Sequence, residues 1–481
     1  MATDTTLPAR PPDTAESRRR LYTALLVAAA FFMENLDGTI ITTAVPAMAR
    51  DFGVLPIDLN PGVSAYLLTL GIFIPISGWV ADRFGPRRIF ASAIVIFTLA
   101  SLACGMADSL GMFVALRVLQ GIGGAMMVPV GRLVVLRSTP KHQLVGAIAI
   151  LTWPALVAPV LGPPIGGFIT TYASWRWIFY LNLPIGLAAL AAAWVLIPND
   201  RAATRRPFDW AGFFWIGSGL FCVLWALEHF GKPTLDWSAI GVWAVLGSLL
   251  LASGVRHLHR TPHPMLSLAA LRIPTFAVTC WGGSLFRMSV GAVPFLLPLM
   301  FQVGYGMDAF HAGLLVIAVF AGNLLMKVYT TRVLRRFGFR PTLLVNGLIN
   351  ALALMACAFI GPDTPVAATA VLLFVGGMAR SMQFTALNTL AFADVPQEGM
   401  SAANTLFSTV FQLAIGMGVA LGAVSIRVGE WAAPFLHLQD LPGIPFRLAF
   451  VAVGLVALLG LADSLALARG AGEHVARPQP R

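Results

Sequence analysis

The chain alternates apolar runs, each about as long as a membrane-spanning helix, with short charged or turn-rich breaks. A helix that crosses the hydrocarbon core of a bilayer needs about 20 predominantly apolar residues. Fourteen runs meet that length: 21–45, 62–81, 88–107, 110–136, 143–171, 177–197, 209–229, 237–256, 275–302, 309–331, 341–361, 365–391, 401–427 and 444–468. The pattern predicts an all-α polytopic membrane protein with fourteen transmembrane helices.

Composition agrees: 58% of residues are hydrophobic, only 11% are charged and the mean hydropathy is +0.80, which excludes an ordinary soluble globular protein. A net charge of +11 could suggest nucleic acid, but its distribution argues against that. With the N-terminus inside, the inner segments hold clusters such as Arg18-Arg19-Arg20, Arg87-Arg88, Arg205-Arg206 and Arg335-Arg336. The outer segments hold only Arg50, Arg176, Lys232, Arg427 and Arg447. This is the positive-inside asymmetry of a cell (inner) membrane protein, and with an even helix count it places both termini in the cytoplasm. No small-residue cleavage site follows the first run, so that run is expected to be retained. Cys104, Cys222, Cys280 and Cys357 fall inside separate runs without metal-ligand spacing and read as small buried residues.

Two weak internal echoes suggest a repeat. Asp82-Arg83-Phe84-Gly85 is echoed by Arg335-Arg336-Phe337-Gly338, 253 residues on, and Arg117-x-x-Gln120 by Arg380-x-x-Gln383, 263 residues on. The offset places the start of a second half near residue 273, where the ninth run begins after Pro274. The expected organisation is a cytoplasmic tail (1–20), a six-helix bundle (21–200), an inserted pair of helices with linkers (201–272), a second six-helix bundle (273–468) and a short tail (469–481). Parallel halves of this kind place a transporter's substrate site between them near the midplane.

The fourth run carries the most informative chemistry. Placing an arginine at the bilayer centre costs about 2.5–3.5 kcal/mol on insertion scales, so Arg117 needs a partner or a wet cavity. At helical spacing Arg117, Gln120, Gly121 and Gly124 share a face, combining a cation and an amide with two points of close helix approach. Glu34 and Asp37, at i,i+3 on the first run, are the candidate counter-charges. The ordinary alternative is an arginine held by carbonyls for packing only. In the second half, Arg287, Lys327, Arg380, Gln383, Thr385 and Asn388 are polar residues within apolar runs. For Arg287 and Lys327, snorkelling or lipid contact competes evenly with a substrate or gate role.

Gly78-Trp79-Val80-Ala81-Asp82-Arg83-Phe84-Gly85-Pro86-Arg87-Arg88 ends the second run. It resembles the loop signature of the major facilitator superfamily, with Val80 for a leucine and Pro86 for a basic residue. The resemblance implies a latch between the halves on the cytoplasmic face, involving Gly78, Asp82, Arg83, Gly85 and Arg87; the alternative is a solvated turn. Arg117-x-x-Gln120-Gly121-x-Gly123 resembles the family's second signature, whose arginine is implicated in proton coupling. Gly162-Pro163-Pro164-Ile165-Gly166-Gly167 is similar to the helix 5 element of its antiporter branches, in which Gly162, Pro163, Gly166 and Gly167 shape helix packing. Leu36-Asp37-Gly38-Thr39-Ile40 and Trp175-Arg176-Trp177-Ile178-Phe179, with Asn182 and Pro184, resemble the fourteen-helix drug:proton antiporters of the EmrB/QacA type. Phe208-Asp209-Trp210 and Gly212 also fit. Glu34 and Arg335, the latter at the repeat of Asp82, depart from the pattern.

The resemblance implies a secondary active transporter that exports lipophilic or cationic drugs by proton antiport and alternating access. Asp37, Glu34 and Arg117 would carry the coupling, because burial raises a carboxyl's proton affinity and a nearby arginine lowers it. Gln120, Trp153, Arg287, Lys327, Arg380, Gln383 and Asn388 are the candidate cavity, with Phe31, Phe32, Met33, Trp153, Phe286 and Met288 as its apolar lining, for each of which core packing is at least an equal alternative. A dedicated exporter of a metabolite such as an amino acid or siderophore is the alternative, and a membrane sensor is a more distant one. No nucleophile with a base, metal spacing or phosphate loop points to an enzyme. The expected partners are a small-molecule substrate, protons and membrane lipid, with no nucleic acid, cofactor or metal; an accessory efflux partner is left open.

Overall fold

In the computed structural model of the chain, residues 14–54, 59–198, 207–230, 236–307, 309–438 and 441–476 are described, and every regular element among them is helical. The long helices are α1 Glu16–Ile40, α2 Pro61–Phe84, α3 Pro86–Gly105, α4 Leu110–Ser138, α5 Leu144–Tyr172, α6 Trp177–Leu196 and α7 Trp210–Leu227. They continue with α8 Trp237–Arg260, α9 Pro274–Gly304, α10 His311–Phe337, α11 Phe339–Phe359, α12 Val366–Ala393, α13 Gln397–Phe435 and α14 Ile444–Leu465. Thirteen are long and apolar enough to cross a membrane, and α5, at 29 residues, matches them in length. These are the fourteen helices expected from the apolar runs. The chain therefore forms a multi-pass membrane protein whose described ends lie on one face, here called the terminal face.

Helices α1–α6 pack together, as do α9–α14, and α7 and α8 lie alongside as a pair. Gly71 of α2 receives Leu224 of α7, while Gly219, Gly247 and Gly254 let α7 and α8 approach closely. Asp209 fixes the start of α7: its carboxylate accepts from Gly212 N (2.8 Å), Met265 N (3.1 Å) and the His257 ring on α8 (2.8 Å). Burial raises the Asp209 carboxyl, but these bonds outweigh it and hold the group below the usual carboxylate range.

The turn between α2 and α3 has Gly85 at φ +94°, and the turn between α10 and α11 has Gly338 at φ +76°. Both positions favour glycine, since a Cβ there is strained. The 253-residue repeat is thus one backbone turn used twice. The second echo has a different register. The short turns Lys141–Gln143 and Gln397–Gly399, which lead into α5 and α13, stand 256 residues apart. At that spacing Arg117 corresponds to Leu373, and Arg380 to Gly124. The match of Arg117-x-x-Gln120 to Arg380-x-x-Gln383 is therefore displaced by seven residues, about two helical turns.

The apolar core divides unevenly. On the terminal side one cluster runs through both halves, from Val27, Phe90 and Val134 to Phe339, Phe392 and Phe407. On the other side it splits into one cluster around Met48, Phe113 and Phe179 and another around Phe301, Leu354 and Phe450. On this second side Asp51 accepts from Trp175 Nε1 (2.7 Å) and Arg176 Nη1 (2.6 Å), tying the segment after α1 to the start of α6. Those two hydrogen bonds hold the Asp51 carboxyl below its ordinary range. Its stabilisation is therefore complete above the ordinary carboxylate pKa and is lost as pH falls through the depressed one. Asp51→Ala is expected to lower the melting temperature at pH 7, with the gap to the native protein closing below about pH 4. Melting curves of the two proteins in detergent across pH 3–7 measure it.

Candidate functional site

The site is assembled on α4. Ser109 caps this helix by accepting from Met112 N (3.3 Å), and two turns further on Arg117 and Gln120 point into the first half. Both are fully buried, as is the carboxyl of Asp37. Arg117 Nη1 donates to Asp37 Oδ2 at 2.6 Å and to Gln120 Oε1 at 2.7 Å, and its Nε donates to Gly62 O at 3.3 Å. Gln120 Nε2 and Asn182 Nδ2 both donate to Asp37 Oδ1, at 2.9 and 2.8 Å. Asn182 also reaches Ser101 Oγ (2.9 Å), which donates to Phe179 O (2.9 Å). Five helices, α1, α2, α3, α4 and α6, thus converge on one carboxylate. The guanidinium lies 4.3 Å from the Tyr66 ring centroid, a cation–π contact that covers its face.

Helix geometry makes this closeness possible. A Cβ at Gly121 would lie 2.9 Å from Tyr66 O, and one at Gly123 would lie 2.8 Å from Phe97 N, so these glycines bring α2 and α3 against α4. At Gly124 the space is taken by Tyr66 Oη and the Glu34 carboxyl. Among the described residues Glu34 Oε2, Tyr66 Oη and Arg117 Nη2 are buried without a hydrogen-bond partner. The second acid of α1 therefore sits beside the network without joining it, and the charged side chains that act on it are Asp37 and Arg132.

The helix 5 glycines pack where α1 ends. A Cβ at Gly162 would lie 2.5 Å from Thr39 Oγ1 and one at Gly166 2.2 Å from Thr43 Oγ1, whereas Gly167 has open space around it. The side chain of Pro163 lies outside the described residues. These contacts set α5 directly against the end of α1, just after Asp37.

The loop signature on the terminal face joins the two halves. Ser401 Oγ of α13 donates to Gly78 O (3.4 Å), and a Cβ at Gly78 would lie 2.1 Å from Thr405 Oγ1. Asp82 pairs with Arg137 of α4 at 2.8 Å, within its own half. Arg87 stacks 4.5 Å above the Trp194 ring, and Arg83 is exposed. Further bonds cross the seam nearby: Asn404 Nδ2 to Pro129 O (2.8 Å) and Arg132 Nη1 to Ser408 Oγ (3.3 Å). Lys141 Nζ caps the end of α12 by donating to Phe392 O, Ala393 O and Val395 O at 2.6–2.9 Å.

In the second half the candidates separate. Lys327 bridges the seam, its Nζ donating to Thr152 Oγ1 of α5 and Thr385 Oγ1 of α12, each at 2.6 Å. Arg287 is held by Thr279 O (2.7 Å), Asn388 Oδ1 (3.2 Å) and the rings of Phe407 and Phe411. Gln383 accepts from Asn346 (3.1 Å). Trp153 is half exposed, whereas Phe31, Met33 and Phe286 are packed in the core rather than lining an open cavity. Arg380 joins none of these contacts.

The Major Facilitator Superfamily profile matches residues 27–419. The chain belongs to that superfamily. Among members it is similar to the putative multidrug resistance protein MdtD of Serratia proteamaculans (strain 568), 40% identical over 401 residues, which are 83% of this chain and 84% of the relative. It is also similar to the protein of the same name from Pectobacterium carotovorum subsp. carotovorum (strain PC1), 38% identical over 413 residues, 85% of this chain and 88% of the relative. Of solved superfamily folds, the human organic anion transporter MFSD10 (TETRAN) superposes with a TM-score of 0.64 at 14% identity, covering 95% of this chain and all of that one. The proton:xylose symporter XylE gives 0.61 at 14% identity, covering 92% and 95%. At that identity the two structures speak for the superfamily fold alone.

Sequence reasoning missed Asn182, Tyr66 and Ser101 as site residues, and Lys141 and Arg132 as seam residues. Asn182 was legible as an amide at the start of an otherwise apolar run, within a segment already matched to the antiporters. Tyr66 and Ser101 carry no signal of their own, because an isolated tyrosine or serine in a membrane helix is ordinary.

Proposed function

We propose that this member is a proton-coupled antiporter that exports lipophilic or cationic drugs from the cytoplasm by alternating access. It would lie in the cell (inner) membrane with both termini cytoplasmic, and its exposed apolar faces would meet lipid. The observation that carries the reading is the fully buried Asp37–Arg117 pair, shared among five helices and set beside a second, unpaired acid. The relatives named as multidrug resistance proteins support the substrate class.

In this reading Asp37 is the principal proton carrier. Arg117, Gln120 and Asn182 hold its ionised form, and protonation removes the charge that attracts them, freeing α1 from α4. Glu34 is the second titrating group or the recognition point for a cationic substrate, and substrate and proton compete for the two acids. Gly78 and its neighbours latch the cytoplasmic face, where a single apolar core and the interhalf hydrogen bonds of Gly78, Pro129, Arg132 and Lys141 lie, with the Lys327–Thr152 bond deeper along the seam. This arrangement fits an outward-facing state. Gly162 and Gly166 couple α5 to the end of α1.

Transport of cationic dyes into proteoliposomes under an imposed pH gradient tests the proposal. Dye movement that follows the gradient and collapses with a protonophore is expected. No movement of cationic or neutral dyes by folded protein would overturn drug export and leave the dedicated metabolite exporter.

A further inference from the structure

We propose that Arg380 and Asn350 form a binding site for a small monovalent anion, of chloride or carboxylate size, inside the second half. A cavity of about 30 Å³ lies among α9, α10, α11, α12 and α14. Val290, Val319, Leu354, Leu373 and Phe450 form much of its apolar wall, and Arg380 and Asn350 are its principal polar groups. Arg380 is more than nine-tenths buried. Among the described residues its Nε and Asn350 Nδ2 are both buried without a partner, and no carboxylate pairs with the guanidinium. Both orphan atoms are donors on residues that line this cavity, so what is missing is an acceptor.

The comparison between halves shows why. At the 253-residue spacing of α2/α10 and α3/α11, Tyr66 corresponds to Val319 and Ser101 to Leu354. At the 256-residue spacing of α4/α12, Arg117 corresponds to Leu373 and Gln120 to Gly376. Val319, Leu354, Leu373 and Gly376 all line the cavity. The first half fills this space with a network that contains its own carboxylate, and the second half leaves it apolar with an arginine about two helical turns further along α12. Nor do the surroundings neutralise that arginine: α9, α10, α11 and α12 contain no Asp or Glu across their spans and carry Arg287 and Lys327 as well, and the acid of α14, Asp463, lies 13 residues beyond the cavity-lining Phe450 and accepts from Gly282 N at 2.8 Å. Arg287 and Lys327 have acceptors of their own; Arg380 has none. A charge at membrane depth without a partner is strongly disfavoured, and a mobile anion is the remaining source of compensation. The volume exceeds the roughly 10–15 Å³ that one water needs and falls far short of the roughly 300–1,000 Å³ of a drug-sized pocket, which suits a halide or the head of a small carboxylate.

The test is the thermal stability of the purified full-length protein in detergent, in sodium chloride, bromide, acetate or gluconate at constant ionic strength. A saturable rise of a few degrees over gluconate is expected. Halides alone, acetate alone, or both together would identify the source of the anion. Arg380→Gln should lose the rise. Gly376→Glu should lose it while folding normally, because a Cβ at Gly376 meets only Ala353 Cβ at 3.6 Å and a glutamate four residues before Arg380 supplies the counter-charge on the same helix face. Bromide-soaked crystals should show an anomalous peak beside Arg380. Equal stability in all four salts, an anion effect that persists in Gly376→Glu, or no bromide peak at Arg380 would overturn the site.

Discussion

Asp37→Asn is expected to reduce gradient-driven dye transport in proteoliposomes to the rate of protein-free vesicles. Asparagine matches the carboxylate in shape and keeps one oxygen for Gln120 and Asn182, but it cannot take up or release a proton. It also leaves Arg117 fully buried without its ion partner, and breaking a buried pair from one side costs about 3–5 kcal/mol. Lost transport could then reflect a weakened fold, so the double variant Asp37→Asn/Arg117→Gln is the necessary companion. It removes both charges and leaves amides that hydrogen-bond one another, so most of the lost stability should return while transport does not. Melting curves and transport measured on the same three preparations separate the two effects. Transport that survives in the single variant would move the coupling role to Glu34, and transport restored by the double variant would remove coupling from the pair altogether.

The fold was legible because the bilayer imposes a length on every spanning helix, and fourteen apolar runs of that length fold as fourteen helices. The glycine turns at Gly85 and Gly338 were legible as a repeat because both need the same left-handed backbone. The echo between Arg117 and Arg380 misled for an instructive reason. Arg-x-x-Gln is a short pattern that helices tolerate at any depth, so only the matched turns at Lys141–Gln143 and Gln397–Gly399 fix the register.

The Asp37–Arg117 pair followed from the requirement that a buried cation find an anion. The identity of the helices that complete the network did not, because Asn182 lies 145 residues from Asp37 and periodicity carries no information across that distance. Arg287 and Arg380 look alike in sequence, each an arginine in an apolar run. One is satisfied by a carbonyl, an amide and two aromatic rings, and the other faces a cavity with nothing to accept from it. That distinction belongs to tertiary packing alone.

Gly78→Val should force the halves apart at the terminal face and abolish transport for a mechanical reason. The added Cβ would sit 2.1 Å from Thr405 Oγ1 and 3.3 Å from the backbone oxygen of Ser401, and the two further methyl groups of valine have nowhere to go while α2 and α13 remain in contact. Overpacking of this kind typically costs about 1–3 kcal/mol, so parting the halves becomes the easier way to relieve it. The bonds from Ser401 to Gly78 and from Asn404 to Pro129 lie on the same stretch of α13 and would be lost together. Spin labels at Arg88→Cys and Glu398→Cys, both exposed on the terminal face and in opposite halves, should report a longer distance in the Gly78→Val protein. The four native cysteines are buried and would label poorly. Gly78→Ala combined with Thr405→Gly returns the space that the Cβ takes and should restore both the short distance and much of the transport. A Gly78→Val protein with an unchanged distance and normal transport would show that the close approach of α2 and α13 does not control which face is open.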